Sequence, residues 1–215
     1  MGRRIVIVGN GQVAEGADAV IDAADFVVRF NLSRNAGQSG TRTDAVAVCN
    51  TGRPANEMLD GPEWRESAPV LASREIWSVR DPEKFARLRP HLAVTHPELD
   101  DFCDDRTDDF ARFATASGKL HRIVPAAAHE AADAALAAHS PGAYVVPSSG
   151  LVTLFHVLSA TEFSGSEIVL AGFGHEGWDG HPFAAERRLV AGLAAEGRLR
   201  LLATSSPSLS PSQGA

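Results

Sequence analysis

The sequence predicts an α/β fold, a Rossmann-like three-layer sandwich around a mostly parallel central sheet. Three observations carry that expectation. Short uncharged runs such as Ile5 to Val8, Ala45 to Val48 and Ile168 to Ala171 have the composition of strands covered on both faces. Strand-like and helix-like patterns alternate along the chain, as in parallel sheets with crossover helices. Two of the runs end in glycine-bracketed turns, Gly9-Asn10-Gly11 and Gly172-Phe173-Gly174, at the edge where open parallel sheets hold their ligands.

Taken in order, Ile5 to Val8 is the first strand, ended by Gly9-Asn10-Gly11, and Phe26 to Asn31 is the second, with Asn31 at its end. Gly37 to Gly40 is a loop, and Ala45 to Val48 is a third strand closed by Asn50-Thr51-Gly52. Further strands are expected at Ile76 to Val79, Leu120 to Val124, Tyr144 to Val146 and Leu199 to Leu202. Helices are expected from Pro82 to Leu88, over the acidic stretch Asp104 to Phe113, over the alanine-rich stretch Ala126 to Ala138, and from Arg187 to Glu196. His129 and His139 lie on the alanine-rich helix and read as bystanders. No internal repeat is visible.

The 215 residues suit a single domain over 1–204, followed by a Ser- and Pro-rich tail, 205–215, expected to be disordered. A net charge of -7 with no clustered Lys and Arg argues against nucleic acid as the main partner. The apolar run after Met1-Gly2-Arg3-Arg4 is only four residues, too short for a signal or a membrane span. Cys49 and Cys103 lack metal-ligand spacing and do not make a disulfide framework, so free thiols and a cytoplasmic location are expected.

Pro147 to Glu186 concentrates the chemistry. Ser148 can cap a helix whose apolar positions are Leu151, Leu154, Phe155 and Leu158, at i, i+3, i+4 and i+7. Free N–H groups and the positive helix end then fall at Ser148, Ser149 and Gly150, a place for an anion. Asn10 and Asn31 either point into one cleft with that helix start or only satisfy turn backbone. Gly9-Asn10-Gly11 does not have the G-x-G-x-x-G spacing of a dinucleotide site.

Three stretches together resemble the eukaryotic-type sialyltransferases of glycosyltransferase family 29. Ile5 to Gly11, continued through Asp25-Phe26-Val27-Val28-Arg29-Phe30-Asn31 to Gly40-Thr41-Arg42-Thr43, resembles the large sialylmotif. Pro147 to Leu154, continued through Gly172-Phe173-Gly174, resembles the small one. His181 and Glu186, with four residues between them, have the closing spacing. The resemblance covers roughly half the chain in family order. It departs from the family in placing Ile5 and Gly165 where the family has its two bridged cysteines, and in reducing the third-motif region to His175-Glu176-Gly177-Trp178-Asp179-Gly180. No counterpart of the family's membrane anchor and stem is expected.

The resemblance implies a GT-A-like variant of the sandwich and an inverting, metal-independent transferase that uses a cytidine monophosphate-linked sugar. It implies that Asn10, Gly11, Asn31, Ser148, Ser149 and Gly150 hold the nucleotide, and that Trp178 lines the acceptor side or simply packs. His181, just before Pro182 at an expected helix start, is then the general base, with a pKa lowered by the helix dipole. His175 donates to the leaving phosphate. Arg42 and Glu186 read equally as structural residues. The alternatives are a hydrolase of a cytidine-linked sugar or nucleotide, a non-catalytic nucleotide-binding accessory protein, and a metal site built from His175, Glu176, His181 and Glu186, for which the spacing is wrong. The expected partner is thus a small nucleotide or nucleotide sugar, with no cofactor, no metal, no nucleic acid and no membrane span.

Overall fold

The computed structural model describes residues 2–202, so the expected tail at 205–215 lies outside the described residues. Seven strands, β1 (Arg4–Val8), β2 (Phe26–Phe30), β3 (Ala45–Val48), β4 (Glu75–Ser78), β5 (Leu120–Ile123), β6 (Glu167–Ala171) and β7 (Arg200–Leu201), form one sheet in the order β5-β4-β3-β2-β1-β6-β7. Every neighbouring pair is parallel, with Ile7 of β1 opposite Val28 on one side and Leu170 on the other. The chain winds outward from β1 to β5, then returns to place β6 on the opposite flank of β1. The strand order therefore reverses between β1 and β6, and a crevice opens there at their carboxyl ends.

The strand alternation sorts the core into two layers. Ile5, Ile7, Val28, Ala45, Ala47, Trp77, Ile168 and Leu170 face one way. Val6, Val8, Val27, Val46, Val48, Ile76 and Val169 face the other. On the second face lie α1 (Ala17–Asp22), α2 (Gly52–Leu59), α3 (Pro62–Arg65) and α4 (Ala68–Ala72). Next in the chain, α5 (Pro82–Thr95) joins a satellite cluster with Phe102, Cys103 and Val146, and α6 (Thr107–Ala116) returns to the second face. On the first face pack α7 (Ala126–Ala137), α8 (Ser149–Ser159) and α9 (Phe183–Ala195). This is the Rossmann-like sandwich the sequence predicts, with a wholly parallel sheet. Among the described residues no helix is long and apolar enough to cross a membrane.

Several local expectations are corrected. Tyr144 to Val146 forms no strand; the Val145 and Val146 N–H groups instead donate to Gly180 O at 2.9 and 3.4 Å. The helix expected to stop at Leu88 runs on to Thr95, with Pro90 inside it at an exposed position. The acidic helix starts at Thr107, whose N–H and hydroxyl both bond Asp105 Oδ1. α9 begins at Phe183, directly after Pro182. Gly52, Pro54, Gly61, Pro62 and Pro69 interrupt the apolar period across α2 to α4, and α1 is only six residues long, so none of the four carries a sustained helical pattern in the sequence. His129 is buried within the core, its Nε2 donating to Val79 O at 2.8 Å and its ring edge-on to Phe85. Cys49 and Cys103 are buried free thiols, and burial raises the pKa of Cys103.

Candidate functional site

The cleft at the β1/β6 switch point begins with two backbones pressed together. Gly9 N donates to Ala171 O at 2.8 Å and Gly11 N to Gly172 O at 2.9 Å. A Cβ on Gly9 or Gly11 would sit 2.5 or 2.7 Å from Gly172 O, so both positions require glycine. Asn35, which the sequence reading did not single out, locks this turn by donating from Nδ2 to Gly9 O at 2.7 Å and Gly11 O at 2.9 Å. Gly150 has a similar constraint, since a Cβ there would lie 2.9 Å from the Phe173 ring.

The opposite wall is the start of α8. Ser148 caps the helix, its Oγ accepting from Leu151 N at 3.2 Å. Glu186, 1 % exposed, accepts from Ser148 N and from Ser148 Oγ, both at 2.7 Å, and so ties the first turn of α9 to the cap of α8. Burial raises the Glu186 pKa against these two bonds, which pull it down. His175 Nδ1 lies 4.0 Å from Glu186 Oε2, and burial with Arg187 nearby lowers the His175 pKa. Glu186 is therefore a structural clamp, and no bond joins it to His181.

Asn10 and Asn31 both line the cleft, and both also serve backbone groups. Asn10 accepts from Arg34 N at 3.0 Å and donates to Phe30 O at 3.4 Å. Asn31 accepts from Cys49 N at 2.7 Å, which leaves its Nδ2 donor without a partner among the described residues. Asn31 and His175 hold positive φ values of 49°, a conformation rare for residues with side chains and common at ligand sites. Arg42 is a structural residue: its Nε bonds Asp44 Oδ2 at 2.8 Å and its Nη2 donates to Asp25 O at 2.9 Å.

His181 is the most defined polar group of the cleft. Its Nδ1 lies 2.8 Å from Val146 O. A carbonyl oxygen only accepts, so Nδ1 carries the proton and Nε2 keeps its lone pair. Burial, with a smaller contribution from Arg80, lowers the pKa to about 4. The ring is therefore neutral at pH 7, in the direction expected from sequence, and the cause is burial instead of the helix dipole. Trp178 stands edge-on to it at 4.9 Å and stacks toward Phe102 at 5.2 Å. His181 and Trp178, together with Gly11, Ser149, Phe30 and Phe173, line a cleft of about 430 Å³. Ser149 N–H and Gly150 N–H, the first two of α8, have no partner among the described residues. The cleft thus offers N–H donors on one wall and an imidazole lone pair on the other. No three His, Cys, Asp or Glu side chains among the described residues group as a metal site.

No known family model matches the chain. It is similar to the urease operon 23 kDa accessory protein of Rhizobium meliloti (strain 1021), with 56% identity over 201 residues that span 94% of this chain and 93% of that protein. That likeness over nearly the whole length overturns the sialyltransferase resemblance, which rested on about half of the chain. The glycosyltransferase reading falls with it, as do the cytidine-linked hydrolase, the nucleotide-binding accessory protein and the implied nucleotide-sugar partner. The structure explains why the motifs misled. Gly9, Gly11 and Gly172 are fixed by backbone contact, Ser148 and Glu186 by helix capping, and Asn10 by loop bonding, so these six residues have a place in the fold whatever the reaction.

Proposed function

The chain belongs to the family of the urease operon 23 kDa accessory protein, and from that premise we propose that it is an accessory protein of a urease system whose working site is the β1/β6 cleft. The cleft binds a small polar ligand that the protein carries or senses on behalf of its protein partners, and both free thiols suit action in the cytoplasm. The observation that carries this reading is one cavity lined both by His181, whose Nδ1 is engaged and whose Nε2 has no partner among the described residues, and by Ser149 and Gly150, whose N–H groups are unpaired there too. Those groups suit a ligand with a donor facing His181 and an acceptor facing α8. Asn31 Nδ2 supplies a further donor, His175 and Trp178 shape the walls, and Asn10, Gly11 and Ser148 hold the frame.

A Rhizobium meliloti strain lacking its urease operon 23 kDa accessory protein tests the proposal. Urease activity should fall in that strain and return when this chain is supplied. His181→Gln should accumulate to the same level and restore little of it. Urease activity unaffected by the deletion, or not restored by this chain, would overturn the urease role; full restoration by His181→Gln would remove the cleft from it.

A further inference from the structure

A second chamber of about 370 Å³ adjoins the cleft, and Asn31, Ser149, Trp178 and His181 line both. Its inner wall is Arg80, just past the end of β4 and 6 % exposed. The Arg80 backbone is fixed by Asn50, whose Oδ1 accepts from Arg80 N at 2.8 Å and whose Nδ2 donates to Arg80 O at 2.9 Å. The guanidinium lies between two rings, its Cζ 4.1 Å from the Phe102 centroid and 4.9 Å from that of Phe85. Among the described residues only Nη1 finds partners, donating to Thr51 Oγ1 and to Phe102 O at 3.2 Å. Nε and Nη2 have no partner among the described residues and are not sealed inside the protein.

The other deeply buried arginine behaves differently. Arg29 directs Nε, Nη1 and Nη2 to Ser39, Gly40, Arg42 and Thr43 in five bonds, and all three nitrogens are engaged. Arg80 keeps the Nε/Nη2 edge free, and that edge is the fork that takes a carboxylate with two parallel bonds. The chain itself supplies no ion-pair partner for Arg80 among the described residues. The carboxylate on the chamber wall, Asp101, is bound by Arg53 at 2.9 Å. A buried cation without a counter-charge is costly, which makes this edge a place for an anion. One unmatched positive charge, set among Pro54, Leu99, Phe102 and Trp178, favours a monoanion with an apolar body over a phosphate dianion.

We propose that this chamber is a subsite for the carboxylate of a small organic acid, held by the Nε and Nη2 donors of Arg80 with its apolar body against Leu99, Phe102 and Trp178. The inference stands on the chamber and not on the urease role, so either one survives failure of the other.

Calorimetric titration of the purified full chain with benzoate, its neutral isostere benzamide and inorganic phosphate tests it. Benzoate should bind about tenfold or more tightly than benzamide, the advantage of a charge-assisted bidentate contact. Arg80→Met should erase that preference, so that benzoate binds no more tightly than benzamide. Should the variant fail to fold, wild type still decides: benzoate, but not benzamide, should raise the pH at which His181 titrates, because a bound anion offsets the field of Arg80. Equal binding of benzoate and benzamide by wild type, preference for phosphate, or a benzoate preference that persists in Arg80→Met would each overturn the subsite.

Discussion

Gly172→Ala is expected to destabilise the protein by about 3 kcal/mol or more, lowering its melting midpoint by about 6 to 12 °C for a chain of this size. Two costs add at this position. Gly172 has φ +66°, which a residue with a side chain adopts only under strain, and its added Cβ would sit 2.8 Å from Gly11 O and 2.9 Å from Gly9 O. Neither oxygen can retreat freely, since Asn35 Nδ2 binds both. Gly197→Ala isolates the first cost. Gly197 has φ +71° with nothing within 4 Å of an added Cβ, so its substitution should cost about 1 kcal/mol, the conformational penalty alone. Calorimetric melting of both variants checks the difference, and equal midpoints would mean that the two turns are not locked together.

Glu186→Ala should cost about 3 kcal/mol, because it removes a buried acceptor of two bonds and leaves the Ser148 N–H without a partner at the head of α8. Glu186→Gln keeps one acceptor and should cost about half as much. The pH dependence separates the carboxyl from its shape. Burial holds the folded pKa above the ordinary 4.5, so the folded state binds the proton more tightly than the unfolded state. The stability this contributes is complete below pH 4.5 and is lost as pH rises through the folded pKa. Wild type should therefore exceed Glu186→Gln by most at acid pH, with the margin shrinking as pH rises. Chemical denaturation across that range would refute the burial argument if the margin grew with pH.

The sheet was legible because burial on both faces leaves a direct mark: β1, β3 and β6 are uncharged or nearly so, and their ends carry the glycines that let two backbones meet. The cleft was legible for the same reason, since Gly9-Asn10-Gly11, Ser148 to Gly150 and His181 all fall at that edge. What the residues do there was not. A Ser that caps a helix and a Ser that holds a ligand look alike in sequence, and only the bond from Ser148 to Glu186, 38 positions away, reveals the clamp. Asn35 gave no signal, being one polar residue in a polar loop. Arg80 gave none either: its importance comes from Phe85, Phe102 and Thr51 converging on it, an arrangement without local spacing. The function misread followed from this limit, because Gly9, Gly11, Gly172, Ser148 and Glu186 have places in the fold that make a motif match without a shared reaction.

Nitrogen NMR of the His181 imidazole tests the cleft most directly. The ring should be neutral at pH 7 with its proton on Nδ1, bonded to Val146 O, and with Nε2 open to the cavity; it should take up its second proton at about 4. Because the folded pKa lies below the ordinary 6.5, the stability linked to this group is full above pH 6.5 and is lost as pH falls toward 4, by roughly 3 kcal/mol in all. A proton found on Nε2, or a titration near 6.5, would contradict a fixed lone pair at the centre of this site.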